Sequence, residues 1–212
     1  MSKAAARIRT AAIEAFAERG YGGTSLRHIA ASLELSPGAV YPHYKTKESL
    51  LFAISLRGHK AAFEVLQRAG DSSASATDRL MDTVRAYTTW QAQNRDLARV
   101  VQYELRSLEP EHYEAVASLR RDTTQLFRSI VESGYASGEF DEADIDAATL
   151  AIASLGTDVC RWFPSQSFSD PEALANRYAK LAVRIVGGSP TRTFRPSLSP
   201  GGMPPADRPT LI

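Results

Sequence analysis

The sequence predicts an all-α protein, with a small N-terminal three-helix unit followed by a larger helical domain. Apolar residues recur at helical spacings almost throughout, and the run at 26–33 is typical. Its apolar positions follow the i, i+3, i+4, i+7 pattern of an amphipathic helix: Leu26, Ile29, Ala30 and Leu33. No stretch of useful length alternates apolar and polar residues as a strand would.

The N-terminal unit covers 1–46. Its first helix is predicted at 3–19, where apolar residues fall four apart and a group of glycines follows. Thr24 or Ser25 caps the second helix, because a side-chain oxygen at this position accepts a hydrogen bond from the first helical turn.

A turn of about three residues joins the second helix to a short third helix, predicted at 37–43. Ser36 is a suitable N-cap, and Pro37 takes the first helical position, where its missing N–H has no consequence. Pro42 lies inside the same segment. Because a proline in a helix interior costs about 3 kcal/mol, we expect the helix to loosen or stop near this residue.

The larger domain is predicted at 47–187 and begins with a connecting helix, 47–68, that Thr46 caps. Further helices are predicted at 78–93, 95–107, 110–136, 143–163 and 171–186. Residues 188–212 are rich in proline and poor in large apolar residues, so we expect a disordered tail.

Composition restricts the class of protein. The first sixty residues hold nine Lys/Arg and four Glu, a net charge of +5, and the total of +1 leaves −4 for the rest. A basic N-terminal quarter on an acidic body fits a polyanion-binding module, and chance is the alternative explanation of this charge difference. No membrane span or signal peptide is predicted. The single cysteine, Cys160, is compatible with the reducing cytoplasm, where we expect the protein.

An enzyme is not expected. The four histidines are scattered and lack the spacing of metal ligands, and no phosphate-binding loop or nucleophile motif occurs. Cys160 stands beside Arg161, but no base is identifiable, and a buried inert cysteine is the commoner case. We therefore predict no catalytic residue, no metal site and no cofactor.

The second and third helices have the spacing of a helix-turn-helix, whose second helix enters the DNA major groove. Gly38 and Ala39 allow close backbone approach, and phosphate-binding donors surround them. A structural three-helix cap with solvated charges is the alternative interpretation. The candidate DNA-binding residues are Thr24, Ser25, Ser36, Pro37, Gly38, Ala39, Tyr41, Pro42, His43, Lys45, Thr46 and Lys47.

The run AAIEAFAERGYGGTSLRHIAASLELSPGAVYPHYKTKESLL, within 8–54, resembles the N-terminal DNA-binding domain of TetR-family transcriptional regulators. The resemblance implies a homodimer that binds a palindromic double-stranded DNA operator, usually as a repressor, and that a small-molecule effector releases. It places Thr24, Ser25, Tyr41, His43 and Lys47 at phosphate-contacting positions. It places Pro37, Gly38, Ala39 and Pro42 on the groove-facing side, where Pro42 departs from the bulkier residue often present.

Two seams are candidates for the dimer interface. The predicted helix 143–163 carries a surface of small residues, and 171–186 carries apolar residues at spacings of four, three and four. The alternative is that both seams face the core of the monomer. The candidate interface residues are Leu150, Ala153, Thr157, Leu174, Tyr178, Leu181 and Ile185.

The effector is expected among the helices of 78–163. The candidate ligand-binding residues are Tyr87, Trp90, Gln91, Tyr103, Phe127, Arg161 and Trp162. The runs YELRSLEPEHYEAV and GTDVCRWF resemble regulators of fatty-acid or steroid catabolism, which implies a hydrophobic acyl-CoA thioester. Arg161 and Trp162 suit its phosphate and adenine. Two alternatives stay open: a drug-like effector of a multidrug efflux or other regulator, and a helical ligand-binding protein without a DNA role.

Overall fold

The computed structural model describes residues 2–71, 75–141 and 144–188, and within these ranges it has helices and no strand. The all-α prediction is confirmed. Short 3-10 helices lie at Pro37–Ala39 and Leu105–Ser107. The α-helices are α1 (Lys3–Arg19), α2 (Leu26–Ser32), α3 (Lys47–Gly70), α4 (Ala76–Gln93), α5 (Arg95–Tyr103), α6 (Pro110–Ala136), α7 (Ile145–Thr157), α8 (Val159–Trp162) and α9 (Pro171–Ile185).

Two predicted helices are each divided in the structure. The helix expected at 95–107 ends at Tyr103, and the 3-10 turn that follows directs Leu105 and Leu108 into the core. The helix expected at 143–163 divides at Asp158, where α7 gives way to the single turn of α8. Helical periodicity does not reveal such breaks, because the residues on both sides keep apolar spacing. Nearly all of the predicted tail, from 189 onward, lies outside the described residues.

One hydrophobic cluster crosses the domain boundary expected at 46–47. Phe16 of α1 and Ile29 of α2 share it with Val100 and Val101 of α5, and all four are buried. At Gly58 of α3 a Cβ atom would lie 2.9 Å from Val101 Cγ1, so glycine allows α3 and α5 to approach closely. The N-terminal unit therefore packs directly on the larger domain.

A second cluster fills the larger domain between α3, α4, α6, α7 and α9. Helix α9 lies along α4 and buries Ala179, Ala182 and Val183 against it. Leu174 is 0% exposed and packs with Ala92 in a third small cluster. The assignment of Leu174 to a dimer interface was therefore wrong, because the α9 seam is rotated so that this residue faces the monomer's own core.

Candidate functional sites

The helix-turn-helix is held by local capping and a tight turn. The Ser25 Oγ accepts a hydrogen bond of 3.2 Å from the His28 N–H and so caps α2. The turn after α2 contains Glu34 with a φ of +57°, and the Leu35 N–H donates to the Ala30 carbonyl at 2.9 Å. These contacts reverse the chain and present residue 36 onward at the surface.

The segment that follows the turn, residues 36–43, is not a regular α-helix. Its 3-10 helix ends at Ala39, and the N–H groups of His43 and Tyr44 both donate to the Val40 carbonyl at 3.0 Å. The helix predicted at 37–43 was therefore wrong in type, although the expectation that it loosens near Pro42 agrees with the structure. Proline has no N–H to continue the ladder.

Two buried anchors fix this segment. Val40 is buried in the N-terminal core with Ile29. The Tyr44 hydroxyl accepts a hydrogen bond of 2.9 Å from Arg9 and donates to the Ala5 carbonyl at 3.4 Å, which ties the segment to α1. Since these anchors lie on the inner side, the opposite side faces solvent. Its exposed residues are Ser36, Pro37, Gly38, Tyr41, Pro42 and His43, and Ala39 is half-buried.

Lys45 and Thr46, the next candidates, are also exposed. Thr46 Oγ1 accepts a hydrogen bond of 2.9 Å from the Ser49 N–H, and Ser49 Oγ accepts one of 3.2 Å from the Thr46 N–H. This reciprocal capping box begins α3 immediately after the exposed segment, and it directs the free N–H groups of the helix N-terminus toward that surface.

Two predicted phosphate ligands have other roles. Thr24 is buried, and its hydroxyl donates to the carbonyl oxygens of Ala15 and Gly20 at 3.2 and 3.0 Å. Lys47 Nζ donates to the carbonyls of Tyr21 and Thr24 at 2.7 and 2.8 Å and lies 4.0 Å from the Tyr21 ring centroid. Both side chains hold the loop between α1 and α2. Thr24 is buried, so its assignment as a phosphate donor was wrong, whereas Lys47 is half-buried and its contact with phosphate stays a prediction.

Carboxylates connect this N-terminal unit to the larger domain. The Glu104 Oε1 accepts a hydrogen bond of 3.1 Å from the Tyr21 N–H. The Glu48 Oε1, in the first turn of α3, accepts one of 3.1 Å from the Glu109 N–H and lies 2.7 Å from His112 Nδ1. A displacement of the N-terminus of α6 therefore displaces the first turn of α3 as well, through these hydrogen bonds.

The larger domain contains a small inner cavity of about 60 Å³ where α3, α4, α6 and α7 meet. His59, Tyr87, Arg120, Thr123 and Thr157 line it, and Ala153 is an apolar member of the lining. Most of the lining residues therefore carry polar side chains, in contrast to the hydrophobic site expected from the sequence.

Two wider clefts open beside the inner cavity, with volumes of about 630 and 530 Å³. Arg120 and Thr124 of α6 line the inner cavity and both clefts, so the three spaces adjoin at these residues. Arg121 and Arg128 of α6 line the second cleft, where Arg121 pairs with Glu114.

Arg120 is the residue at this junction that sequence analysis missed. Its guanidinium is half-buried, and Nη1 donates to the neutral Gln102 Oε1 at 2.7 Å. Arg120 has no acidic partner among the described residues, in contrast to Arg121 and Arg128. A partly desolvated guanidinium without a counterion favours an anionic ligand. The sequence signal was the adjacent arginine pair before two threonines in LRRDTT.

The predicted ligand residues are divided among different places. Tyr87 lines the inner cavity, and Gln91 donates to its hydroxyl. Phe127 is fully buried in the core, where its ring meets the Tyr87 ring edge-on at 5.8 Å. Trp90 on α4 is half-buried.

Arg161 and Trp162 do not form one subsite. Arg161 pairs with Asp158 at 2.8 Å and borders a surface pocket that it shares with Tyr103, between α1 and α5. Trp162 lines the 630 Å³ cleft with Tyr178. Their expected cooperation on a phosphate and an adenine was therefore wrong in this arrangement, because neighbours on a single helical turn point in different directions.

The exposed apolar residues on the outer face of α7 and α9 include Leu150 and Leu181, which are 66% and 41% exposed. Tyr178 and Ile185 of α9 are half-buried beside them. The interface candidates Ala153 and Thr157 line the inner cavity, where Thr157 Oγ1 lies 3.1 Å from the Tyr87 hydroxyl, and they also line the 630 Å³ cleft beside Leu150. The place of these two residues in an interface stays a prediction.

Cys160 is buried, and burial raises the pKa of its thiol to about 11. A thiol that is protonated at neutral pH is a poor nucleophile, which agrees with the expectation that Cys160 is inert. Across the described ranges, no three His, Cys, Asp or Glu side chains are grouped so as to hold a metal ion. Every helix in those ranges is too short or too polar to cross a bilayer.

Comparison with known proteins gives consistent results along the chain. A family model described as "Bacterial regulatory proteins, tetR family" matches residues 8–54. A model described as "Tetracyclin repressor-like, C-terminal domain" matches residues 73–186, more than half of the chain. The chain is 26% identical over 178 residues to the fatty acid metabolism regulator protein of Bacillus subtilis (strain 168), covering 83% of this chain and 92% of that protein.

Comparison with solved structures gives a result consistent with these family matches. A bacterial regulatory protein in the tetR family from Rhodococcus RHA1 is 60% identical, with a TM-score of 0.86 over 89% of this chain and 99% of that chain. AibR, solved in complex with isovaleryl coenzyme A and operator DNA, is 22% identical, with a TM-score of 0.77 over 84% of this chain and 97% of that chain. The AibR likeness shows the fold alone.

Proposed function

The chain belongs to the TetR family of transcriptional regulators, and from this premise we propose that it is a cytoplasmic, homodimeric repressor. In this proposal the dimer binds a palindromic operator and is released by an acyl-CoA thioester. Regulators of this family bind DNA and are not enzymes. The observation that carries the effector part is Arg120, a half-buried cation with a neutral partner where three cavities adjoin.

The DNA surface is the exposed side of residues 36–43 together with Lys45 and Thr46. Pro37, Gly38 and Pro42 offer apolar or backbone contact to base edges, whereas Tyr41, His43 and Lys45 offer donors to phosphate. Two such surfaces in a dimer meet successive major grooves when they are about 34–36 Å apart.

In this proposal, the effector releases the operator DNA by shifting the population of the dimer between two spacings of its DNA-binding units. An effector bound at Arg120 has direct contact with α6, whose N-terminus is bonded through Glu109 and His112 to Glu48 of α3. Because α3 begins where the DNA surface ends, a shift of α6 changes the spacing of the two DNA-binding units. The effector and the operator then favour different spacings, and each weakens the binding of the other.

Binding to the promoter region beside the protein's own gene tests the DNA part, by fluorescence anisotropy at several salt concentrations. Specific binding with a steep dependence on salt is expected. Pro42→Ala is expected to change sequence preference, because residue 42 faces the bases. Absence of specific binding at any neighbouring promoter contradicts the repressor function, and unchanged preference contradicts the placement of Pro42.

Isothermal titration with CoA thioesters tests the effector part. Arg120→Gln is expected to weaken CoA-ester binding by about 10- to 100-fold, because a hydrogen bond to a charged group contributes about 1.5–3 kcal/mol. The matched control is Arg85→Gln on α4, whose guanidinium is paired with Asp82 and lines none of these three spaces. Equal losses in the two variants contradict the role of Arg120. Tight binding of uncharged drug-like compounds instead supports the efflux-type alternative.

A further inference from the structure

The size and the lining of the inner cavity restrict which acyl group of a CoA thioester it can hold. Its volume of about 60 Å³ holds roughly four water-sized groups, at about 15 Å³ for each. An acyl group of about four heavy atoms fits in this space, whereas a long saturated chain would have to extend into the adjoining clefts. Most residues of the lining carry a polar group, so a hydrocarbon chain would leave buried polar atoms without partners.

The hydroxyl hydrogens of the lining are already in use. Thr123 Oγ1 donates to the Leu119 carbonyl at 3.0 Å, and Thr124 Oγ1 donates to the Arg120 carbonyl at 3.2 Å. Both are bonds to the preceding helical turn, which leave the oxygen lone pairs of the two side chains available as acceptors.

The hydroxyl groups of Tyr87 on α4 and Thr157 on α7 belong to one series of hydrogen bonds. Thr157 Oγ1 lies 3.0 Å from the Ala153 carbonyl and 3.1 Å from the Tyr87 hydroxyl. When Thr157 donates to that carbonyl, the Tyr87 hydroxyl donates to Thr157. Gln91 in turn donates to Tyr87, and its Oε1 is buried without a partner among the described residues. In that arrangement, no hydroxyl hydrogen of this series is left for a ligand.

His59 adds another acceptor. It is 6% exposed, and its Nε2 lies 3.2 Å from the Val101 carbonyl. A carbonyl only accepts, so Nε2 carries the hydrogen and Nδ1 is an acceptor, for which the described residues offer no partner. Burial, followed by the Arg120 charge, lowers the pKa of His59 to about 4, so the ring is neutral at physiological pH.

We propose that the inner cavity selects a short acyl group bearing a hydroxyl, with His59 and the Thr123 oxygen accepting the hydrogen bond of that hydroxyl. The inference rests on the proposed CoA-ester effector and defines its acyl part. A keto group of the same size has no hydrogen to donate to these two acceptors, and an amine is disfavoured because the Arg120 cation lies in the same lining. The donors of Arg120 stay available for the thioester carbonyl or a phosphate.

Isothermal titration of the full-length protein with four CoA esters tests the proposal: 3-hydroxybutyryl-, acetoacetyl-, butyryl- and palmitoyl-CoA. The hydroxybutyryl ester is expected to bind about tenfold more tightly than the butyryl and acetoacetyl esters, the factor that one net hydrogen bond supplies. Palmitoyl-CoA is expected to bind more weakly than all three. Equal affinity for the hydroxybutyryl and butyryl esters overturns the proposal and leaves the CoA-ester class intact. Binding of no ester overturns that class and this inference together.

Two variants examine the acceptors. His59→Leu and Thr123→Val are each expected to reduce the preference for hydroxybutyryl- over butyryl-CoA to about threefold or less, while butyryl-CoA binding is retained. Thr10→Val is the matched control, because the Thr10 hydroxyl makes the same bond to the preceding turn on exposed α1, at 3.3 Å from the Ala6 carbonyl. If His59→Leu fails to fold, as judged by circular dichroism, Thr123→Val decides alone. An unchanged preference in the folded variants overturns the proposal.

Discussion

Two lysines separated by one residue show how single side chains divide between structure and binding. Lys47 is half-buried and bonded to two carbonyls of the loop before α2, whereas Lys45 is exposed. A lysine has three donors and a flexible stem, so its role depends on which acceptors lie within reach. The loop provides those acceptors to Lys47 and leaves the Lys45 ammonium for phosphate.

Lys47→Ala is therefore expected to lower the free energy of unfolding by about 1–2 kcal/mol, since two charge-assisted hydrogen bonds and a cation–π contact are lost. Lys45→Ala is expected to change it by less than about 0.5 kcal/mol and to reduce the salt dependence of DNA binding by about one phosphate contact. Urea unfolding and salt titration measure the two effects. If Lys47→Ala leaves the free energy of unfolding unchanged and reduces the salt dependence of DNA binding, Lys47 contacts phosphate and its assigned structural role is wrong.

Glu34 provides a second test at the scale of one residue. Its φ of +57° lies in the left-handed region, which costs a non-glycine residue about 1 kcal/mol. Glu34→Gly is expected to stabilise the protein by about 0.5 kcal/mol, after the larger entropy of glycine in the unfolded chain is subtracted. The control is Glu34→Ala, which keeps the strain and is expected to give no gain. Equal stabilities of the two variants in urea unfolding contradict this account.

Among the elements, α3 connects the parts of the molecule. Its first turn bonds the N-terminus of α6 through Glu48, and its middle contacts α5 at Gly58 and His59. The sequence predicts α3 as one continuous helix that begins after its cap at Thr46. The residues that α3 contacts on α5 and α6 lie far away in the sequence. A helix packed on several sides transmits a displacement as a rigid body, which suits it to connect a cavity with a DNA surface.

The contact of α3 with α5 is expected to depend on pH. Because burial lowers the folded-state pKa of His59 to about 4, below the unfolded value of 6.5, its contribution to stability is complete above pH 6.5 and is lost as the pH falls toward 4. The loss is about 3 kcal/mol at most. His59→Gln is expected to remove this part of the pH dependence in urea unfolding between pH 7 and pH 4.5. An equally steep dependence in that variant assigns the effect to other groups.

At the scale of the whole molecule, two large apolar side chains of neighbouring helices stay exposed. Leu150 of α7 and Leu181 of α9 are exposed on the outer side of these helices. Exposed apolar residues of this size, on neighbouring helices, are typical of an interface, and a two-fold dimer places the same patch on both subunits. We therefore expect α7 and α9 of two chains to pair through these residues, with Tyr178 and Ile185 beside them.

Leu181→Glu is expected to convert the dimer to a monomer at micromolar concentration, because it places a charge in an apolar contact. The monomer is then expected to lose operator binding, since each half-site holds one subunit. Light scattering after size-exclusion chromatography measures the mass. Tyr135→Glu, at a tyrosine that is 49% exposed on α6, is the control and is expected to remain dimeric. A dimeric Leu181→Glu variant contradicts this interface.

Much of the DNA-binding unit was predictable because its information is local. The caps at Ser25 and Thr46, the apolar spacing of α2 and the effect of Pro42 all depend on neighbours within a few residues. The effector cavity was much less predictable. Tyr87 was found, but Arg120 and His59 were missed, because their importance depends on partners far along the chain: Gln102 for one and Val101 for the other.

The sequence by itself determined the helical class, the order of the helices and the family, since periodicity, caps and a long motif are properties of short segments. The tertiary structure decided which polar groups are free. It turned Lys47 and Thr24 inward, placed Leu174 in the core and left Arg120 without an acidic partner among the described residues. The reason is physical: burial and hydrogen-bond pairing belong to the packed arrangement of several helices, and one residue's neighbours in sequence do not specify them.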